Sequence, residues 1–441
     1  MSVSSVVIIG AGLSGLVAAQ DCVRSGIPNV VVLEARDRIG GRLKGLDREG
    51  APLIDLGGEL VSSHLVSLMA LATELGVEWE EAPMGANFER GGESVRVYAG
   101  NRLVEPYPLS TDPDAEAANL AFVEAISAIV ETVVVDNPSL TPGAAELDSI
   151  TLGAWIDEHV DNAAARSAIV GNATTIGDVY ELSLLYYVWY IAKFGGWEEH
   201  EAISEGHFVG GAAQLPRKLA ESLADHIHLS QVVTSIEHGT DGVVVHAGGT
   251  RYDADAVIVA VGGAMAAGIE FAPALPPAHA ALIAGWKPQH GAKLVLEYDR
   301  AFWTDKGLAG LASGDGLVGL AIDSTPASGP ATLIGFCFQG SRIAQFPNDD
   351  DLQTAMLADL VTFFGEEIAS PTAAYLSNWE GDEWSAGCSH SLPPGVLTAA
   401  GDAVSTDVGR VVFAGSDRGT MEYMEGAVTA GQRAARVVAG F

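Results

Sequence analysis

The sequence predicts a mixed α/β fold: one doubly wound domain assembled from separated stretches of chain, with a second domain of sheet and helices in the intervals. Three observations predict it. A β-branched run at Val6–Ile9 leads straight into Gly10, Gly12 and Gly15. After a long helical region, short strands return beyond Phe208. The chain then closes on a further strand, glycine turn and helix, at Val411–Ala414, Gly415–Asp417 and Met424–Val438. These place residues 1–75, 205–265 and 385–441 in the doubly wound domain, and 76–204 with 266–384 in the second.

At 441 residues the chain is long enough for two or three domains and an ample core. With 48% hydrophobic and 18% charged residues, disorder is excluded. A net charge of −34 argues against nucleic acid and against an anionic membrane surface as partners. No apolar run approaches the ~18 residues of a spanning helix. No basic n-region precedes Val6 and no hydrophobic tail follows the last helix, so the expectation is a cytoplasmic protein away from membranes. Cys22, Cys337 and Cys388 contain no CxxC pair, which speaks against a disulfide framework and a cysteine zinc site; no metal is expected.

Taken in order, Val6–Ile9 suits a buried parallel strand. In the GxGxxG that follows, Gly10 allows a tight turn, Gly12 lets a pyrophosphate approach the backbone, and Gly15 lets helix and strand pack closely. Leu13 and Ser14 lie within that motif. The helix running on through Leu16–Val23 offers free N–H groups and a positive dipole end to phosphate. Val30–Leu33 is the second strand, ended by Glu34, 19 residues after Gly15, where a carboxylate accepts hydrogen bonds from a ribose diol. Strand, helix, strand and terminal acid in this order make a Rossmann-like unit. Glu34 would repel the extra phosphate of NADP, but the fingerprint does not separate NAD from FAD. Beyond Ala35, the residues Arg36, Arg38, Gly40, Gly41 and Arg42 form a basic turn that can bring Arg42 and backbone amides back to the same pyrophosphate. Gly57 and Gly58, followed by Glu59, put a second backbone segment where it can pass close to a flat ring.

From Val6 to Leu60 the chain resembles the start of a flavin amine oxidase of the monoamine oxidase type. The resemblance implies FAD. The cofactor residues expected in this stretch are Gly10, Gly12, Leu13, Ser14, Gly15, Glu34, Ala35, Arg36, Gly41, Arg42, Gly57, Gly58 and Glu59.

Residues 65–85 read as a helix and a loop, Asp112–Val135 as a helix, and 151–194 as continuing helical, ending in the aromatic run LLYYVWYIAKF. Tyr186, Tyr187, Trp189 and Tyr190 are candidates to line a substrate cavity, although such clusters are more often helix-packing core. Short strands with turns at Asp241-Gly242 and Gly248-Gly249 follow Phe208. In the resembled family the Val233 position meets the adenosine part of FAD through its backbone. The ending FAGS…YMEGA is the second strong match to amine oxidases, so the resemblance spans nearly the whole chain and implies cofactor contacts at Gly415, Ser416 and Met424.

Amine oxidation moves a hydride equivalent to the flavin and leaves an imine for water to hydrolyse. The resemblance implies that Lys293, in the strand GAKLVLEY, is the family lysine holding a water near the flavin. A lysine among apolar strand residues must in any case find a partner or change its ionisation. Trp379 matches the tryptophan packed near the flavin, nine residues before Cys388. Cys388 falls where some relatives join the flavin through sulfur, which makes it the candidate for covalent attachment. Tyr423 matches one of two tyrosines that enclose the amine, but the other position is Ser389, and the segments to Pro393 and from Ser416 to Tyr423 are shorter than usual. Either His390 or a helical tyrosine takes its place, or the pocket accepts a bulkier or more polar amine. The reading is thus an FAD-dependent amine oxidase acting on a small amine with O2 and releasing hydrogen peroxide, with Lys293, Tyr423 and Trp379 catalytic and a homodimer as the assembly considered. An amino-acid oxidase or desaturase of the same fold is the alternative; the former would want an arginine for the carboxylate, with Arg300 and Arg342 as candidates. A non-catalytic FAD scaffold is the third reading.

Overall fold

The computed structural model describes residues 3–82, 96–99, 102–104, 113–201, 206–314, 316–419 and 421–441. Its centre is a five-stranded parallel sheet in the order Val411–Phe413, Ala256–Val259, Ser5–Ile9, Asn29–Leu33 and Ile227–His228. Three well-separated stretches of sequence therefore build one sheet. Along Ser5–Ile9, Val6 and Ile8 pack into one hydrophobic cluster with the helices, while Val7 and Ile9 enter another formed with the neighbouring small sheet. Burial on both faces is why this strand reads as an unbroken apolar run.

The helix Leu13–Arg24 lies beside the closing helix Tyr423–Ala439. Their approach is so close that a Cβ at Gly431 would press on the Ser14 carbonyl oxygen. A four-stranded sheet with order Thr250–Ala254, Val243–Ala247, Val233–His238 and Glu270–Ala272 covers the other side.

A second sheet of seven strands runs Ala373–Asn378, Ala292–Tyr298, Ala331–Cys337, Leu320–Asp323, Ala312–Gly314, Arg96–Ala99 and Arg102–Val104. The helix Asp349–Phe364 buries Leu352, Met356, Leu360 and Phe363 against it. The stretch 151–194 is three helices rather than one continuous run: Leu152–His159, Ala163–Ala173 and Leu184–Phe194. Side-chain oxygens interrupt it. Asn162 accepts from the N–H groups of Ala164 and Ala165, and Ser183 from those of Leu185 and Tyr186, so each starts a helix afresh.

Candidate active site

The first strand turns at Gly10, whose φ of +100° favours glycine, and delivers the chain to a helix whose N-cap, Gly12, supplies no side-chain acceptor. The space around Gly12 is open: a Cβ there would meet nothing within 4 Å. On the opposite side the packing is closed, since a Cβ at Gly15 would overlap the Gly10 carbonyl oxygen. Ser14 follows Leu13, and its hydroxyl oxygen accepts the Gly415 N–H at 3.0 Å. This ties the first glycine turn to the last one.

Glu34 is buried and accepts hydrogen bonds from the N–H groups of Ala11 (2.8 Å) and Arg36 (2.9 Å) on either side of Ala35. A carboxylate has further acceptor capacity beyond these two, so the ribose role remains open to it. Gln231 and Ser230 clip the Val233 segment to the same loop, donating to the carbonyls of Glu34 and Arg36 at 2.8 Å each. Arg36 itself reaches across to Asp382 and Ser385. Gly41, at φ +56°, lies against Gly12. Arg42 then spans the opening, with one guanidinium nitrogen 2.8 Å from Ser416 Oγ and the other 3.2 Å from the Cys388 carbonyl oxygen. Five segments distant in sequence thus meet around the open start of the first helix. Two buried polar atoms nearby, Asp417 Oδ1 and His390 Nε2, have no hydrogen-bond partner among the described residues. Burial and the Arg42 charge push the His390 imidazole down to about 3, so its ring is neutral. An open glycine cradle with orphaned polar atoms at its edge fits a large polar ligand such as a dinucleotide.

Lys293 belongs to this cradle through the loop Asp55–Glu59. Its strand is buried along its whole length, and Nζ donates to the Asp55 carbonyl (2.6 Å), the Gly57 carbonyl (3.2 Å) and the Glu59 carboxylate. Gly57 is pressed against the Arg42 carbonyl, and Leu43 lies 3.0 Å from a Cβ placed on Gly58. The buried Trp379 indole donates to the Leu56 carbonyl at 3.3 Å. One short loop therefore carries Lys293 and Trp379 and touches the arginine of the cradle. The Asp55 carboxyl accepts the N–H groups of Ala212 and Ala213, and burial beside Glu59 pushes it up to about 6.

The model of the flavin-containing amine oxidoreductase family matches residues 13–439. The chain belongs to that family. Among known proteins, it is 29% identical to an L-amino acid dehydrogenase from Synechocystis sp. over 98% of this chain and 94% of that protein. It is 30% identical to a flavin-containing amine oxidase from Danio rerio, covering 98% and 85% respectively. Among solved structures, cyclohexylamine oxidase from Brevibacterium oxydans superposes with a TM-score of 0.91 at 30% identity, over 100% of this chain and 99% of that one. As a flavin-containing amine oxidoreductase the protein takes FAD, and the glycine cradle, Glu34, Arg42 and the Gly415–Ser416 turn are the residues that would hold it.

In this amine oxidoreductase Tyr423 stands in the left-handed region at φ +64°, is 39% exposed, and meets Phe194 edge-on at 5.8 Å. Tyr190 hydrogen-bonds it, which raises the Tyr190 hydroxyl further above a value already elevated by burial. Of the aromatic helix, Tyr190 and Phe194 thus reach Tyr423, whereas Tyr186 is wholly buried, its hydroxyl 3.0 Å from both Glu422 Oε1 and the His390 carbonyl. Met424 is buried behind Tyr423. Sequence reading missed Lys193 and Glu422, which lie 3.7 Å apart beneath Tyr423, with Lys193 4.0 Å above the Trp189 ring. The one available signal was Lys193 itself, the only charge in the aromatic run.

Neither arginine from the sequence reading sits beside Lys293. Arg300 is exposed and paired with Asp305 and Glu367. Arg342 lines a cavity of about 340 Å3 together with Arg166 and Phe338. Phe338 stacks on Phe336, the cross-strand partner of Lys293. The Cys388 thiol donates to the Gln289 carbonyl at 3.2 Å, and burial pushes its pKa up, favouring the protonated thiol. Ser389 pairs with Gln289 in a two-stranded ladder. Among the described residues no cluster of three or more potential metal ligands occurs.

Proposed function

We propose that this flavin-containing amine oxidoreductase oxidises a small amine to an imine, hydrolysed to an aldehyde or ketone, and passes the electrons to O2 to give hydrogen peroxide. The observation that carries the reading is the Asp55–Glu59 loop, which places Lys293 and Trp379 together at the edge of the cofactor cradle. Bound FAD supplies the two-electron acceptor. The chain's own residues do the rest. Tyr423 offers its ring to the amine with Tyr190 hydrogen-bonded behind it, and the loop, which takes all three Lys293 hydrogens, fixes the ammonium in place beside the cradle.

The amino-acid reading is favoured by two observations, the Synechocystis relative and the arginines of the neighbouring cavity. A peroxide assay with primary, secondary and cyclic amines beside amino acids separates the readings. Turnover of amines alone supports the first, turnover of amino acids alone the second, and none at all the scaffold.

The same proposal includes attachment of FAD through Cys388. Support comes from its place on the rim, where Arg42 holds its carbonyl and Ser416 together. Acid-denatured protein whose mass is raised by one FAD, lost in Cys388→Ala, supports the bond; yellow supernatant over an unmodified chain refutes it. We also propose that the protein works in the cytoplasm, on the strength of its acidity; among the described residues no helix is long and apolar enough to cross a membrane.

A further inference from the structure

Behind Lys293 runs a line of polar side chains that the chemistry above does not use. Glu59 Oε2 takes the Lys293 ammonium, and Glu59 Oε1 takes the Ser324 hydroxyl. Ser324 Oγ is 3.4 Å from His207 Nδ1, and His207 Nε2 is 3.0 Å from Glu80 Oε1. His207 and Glu80 face each other across the ladder of Trp79–Glu81 with Gly206–Phe208. Ser324 is buried, the Lys293 and His207 side chains are 5% and 8% exposed, and Glu80 at the far end is 23% exposed.

Two arguments give this line a purpose. The first is direction. The single Ser324 hydrogen is committed to Glu59, so His207 must present its Nδ1–H to Ser324 and turn Nε2 to the Glu80 carboxylate, where one proton is shared. Every link can then pass a proton to the next. The second is the proton balance of the reaction. The sum RCH2NH3+ + O2 + H2O → RCHO + NH4+ + H2O2 is neutral in protons, but its parts are not. The ammonium must lose one proton before its Cα–H can leave as hydride, and O2 combines with that hydride and one proton to make the peroxide. A proton leaves early and one must return late.

We propose that Glu59, Ser324, His207 and Glu80 form the path by which that proton moves between Lys293 and the surface. Glu59 positions the Lys293 ammonium at the inner end, and His207 is the exchangeable group near the outer end. The other ionisable groups facing the path are Asp55, beside Glu59 and Lys293, and Asp323, beside His207 and bonded to the Trp303 indole. The inference rests on the proposed amine oxidation.

The test uses the holoenzyme and two substitutions, His207→Ala and Ser324→Ala. Anaerobic bleaching of the flavin by an amine tests the oxidation itself; if no amine bleaches the wild type, the proposed function fails whatever the path does. With bleaching established, His207→Ala should lower aerobic turnover roughly tenfold at alkaline pH and much less at acid pH. Substituted imidazoles should restore it in the order of their pKa values, an order that mere filling of the vacated space would not produce. In the resting protein, imidazole 15N NMR should show the His207 titration displaced in Ser324→Ala, because that change cuts only the link to Glu59. A pH-independent loss, a rescue insensitive to imidazole pKa, or an unmoved His207 titration each overturns the path.

Discussion

Two buried lysine–glutamate pairs lie near the cradle, and they are built in opposite ways. Lys293 is saturated: two loop carbonyls and the Glu59 carboxylate take its hydrogens. The Lys193 ammonium has no hydrogen-bond partner among the described residues, standing 3.7 Å from Glu422 with its charge over the Trp189 ring. Burial lowers the Lys193 pKa and raises that of Glu422, so the surroundings favour their neutral forms. What separates the pairs is the backbone. A loop folded around an ammonium fixes its position, whereas a side-chain partner and a ring leave a lysine the option of losing its proton.

Removing the lysines breaks the comparison most strongly. Lys293→Met should retain FAD yet slow flavin reduction or its reoxidation by O2 roughly 100-fold, measured by stopped-flow absorbance. Full activity in that variant would remove Lys293 from the chemistry. Lys193→Met, away from the loop, should cost far less activity.

Stability sharpens the same contrast. Lys293→Met leaves the Glu59 carboxylate with only the Ser324 hydroxyl, leaves two loop carbonyls unpaired, and should cost about 3 kcal/mol or more in urea unfolding. Lys193→Met leaves Glu422 with the Tyr186 hydroxyl and free to take a proton, and should cost less than about 1.5 kcal/mol. Equal losses would show that hydrogen-bond saturation does not set the difference.

How much of this was legible depended on distance along the chain. The cradle was readable because Gly10, Gly12, Gly15 and Glu34 form a local pattern that needs no distant partner to be recognised. Lys293 was readable as a charge in an apolar strand. Glu59, named among the cofactor residues, also gives its carboxylate to Lys293 and Ser324, partners more than 200 residues away. Arg36 likewise found Asp382, and Glu422 found Lys193, through folding that no local spacing encodes. The separate helices of 151–194 were masked by uniform apolar content, with the breaks signalled only by Asn162 and Ser183.

Acid titration gives a smaller effect. The folded Asp55 carboxyl titrates near 6, above its ordinary 3.8, so folding favours its protonated form. The stability this contributes is complete below about pH 4 and is lost as pH rises through 6. Asp55→Asn should flatten the dependence of unfolding free energy on pH over that interval; an unchanged slope would place the titration elsewhere. The smallest expected effect is long-range. With a net charge of −34, kcat/KM for a cationic amine should fall modestly as salt rises, and a flat response would leave the acidity to solubility.

The embrace of the first helix by the last has a consequence for the making of the protein. Strand Ser5–Ile9 and helix Leu13–Arg24 leave the ribosome long before their neighbours Val411–Phe413 and Tyr423–Ala439, which are more than 380 residues behind. Until then the Ser14 hydroxyl lacks the Gly415 amide, Arg42 lacks Ser416, and one side of the sheet has no edge strand. A nascent or prematurely ended chain carries the glycine motif without its far wall. The two walls of the cradle therefore come together only after the segment around Gly415 has been made.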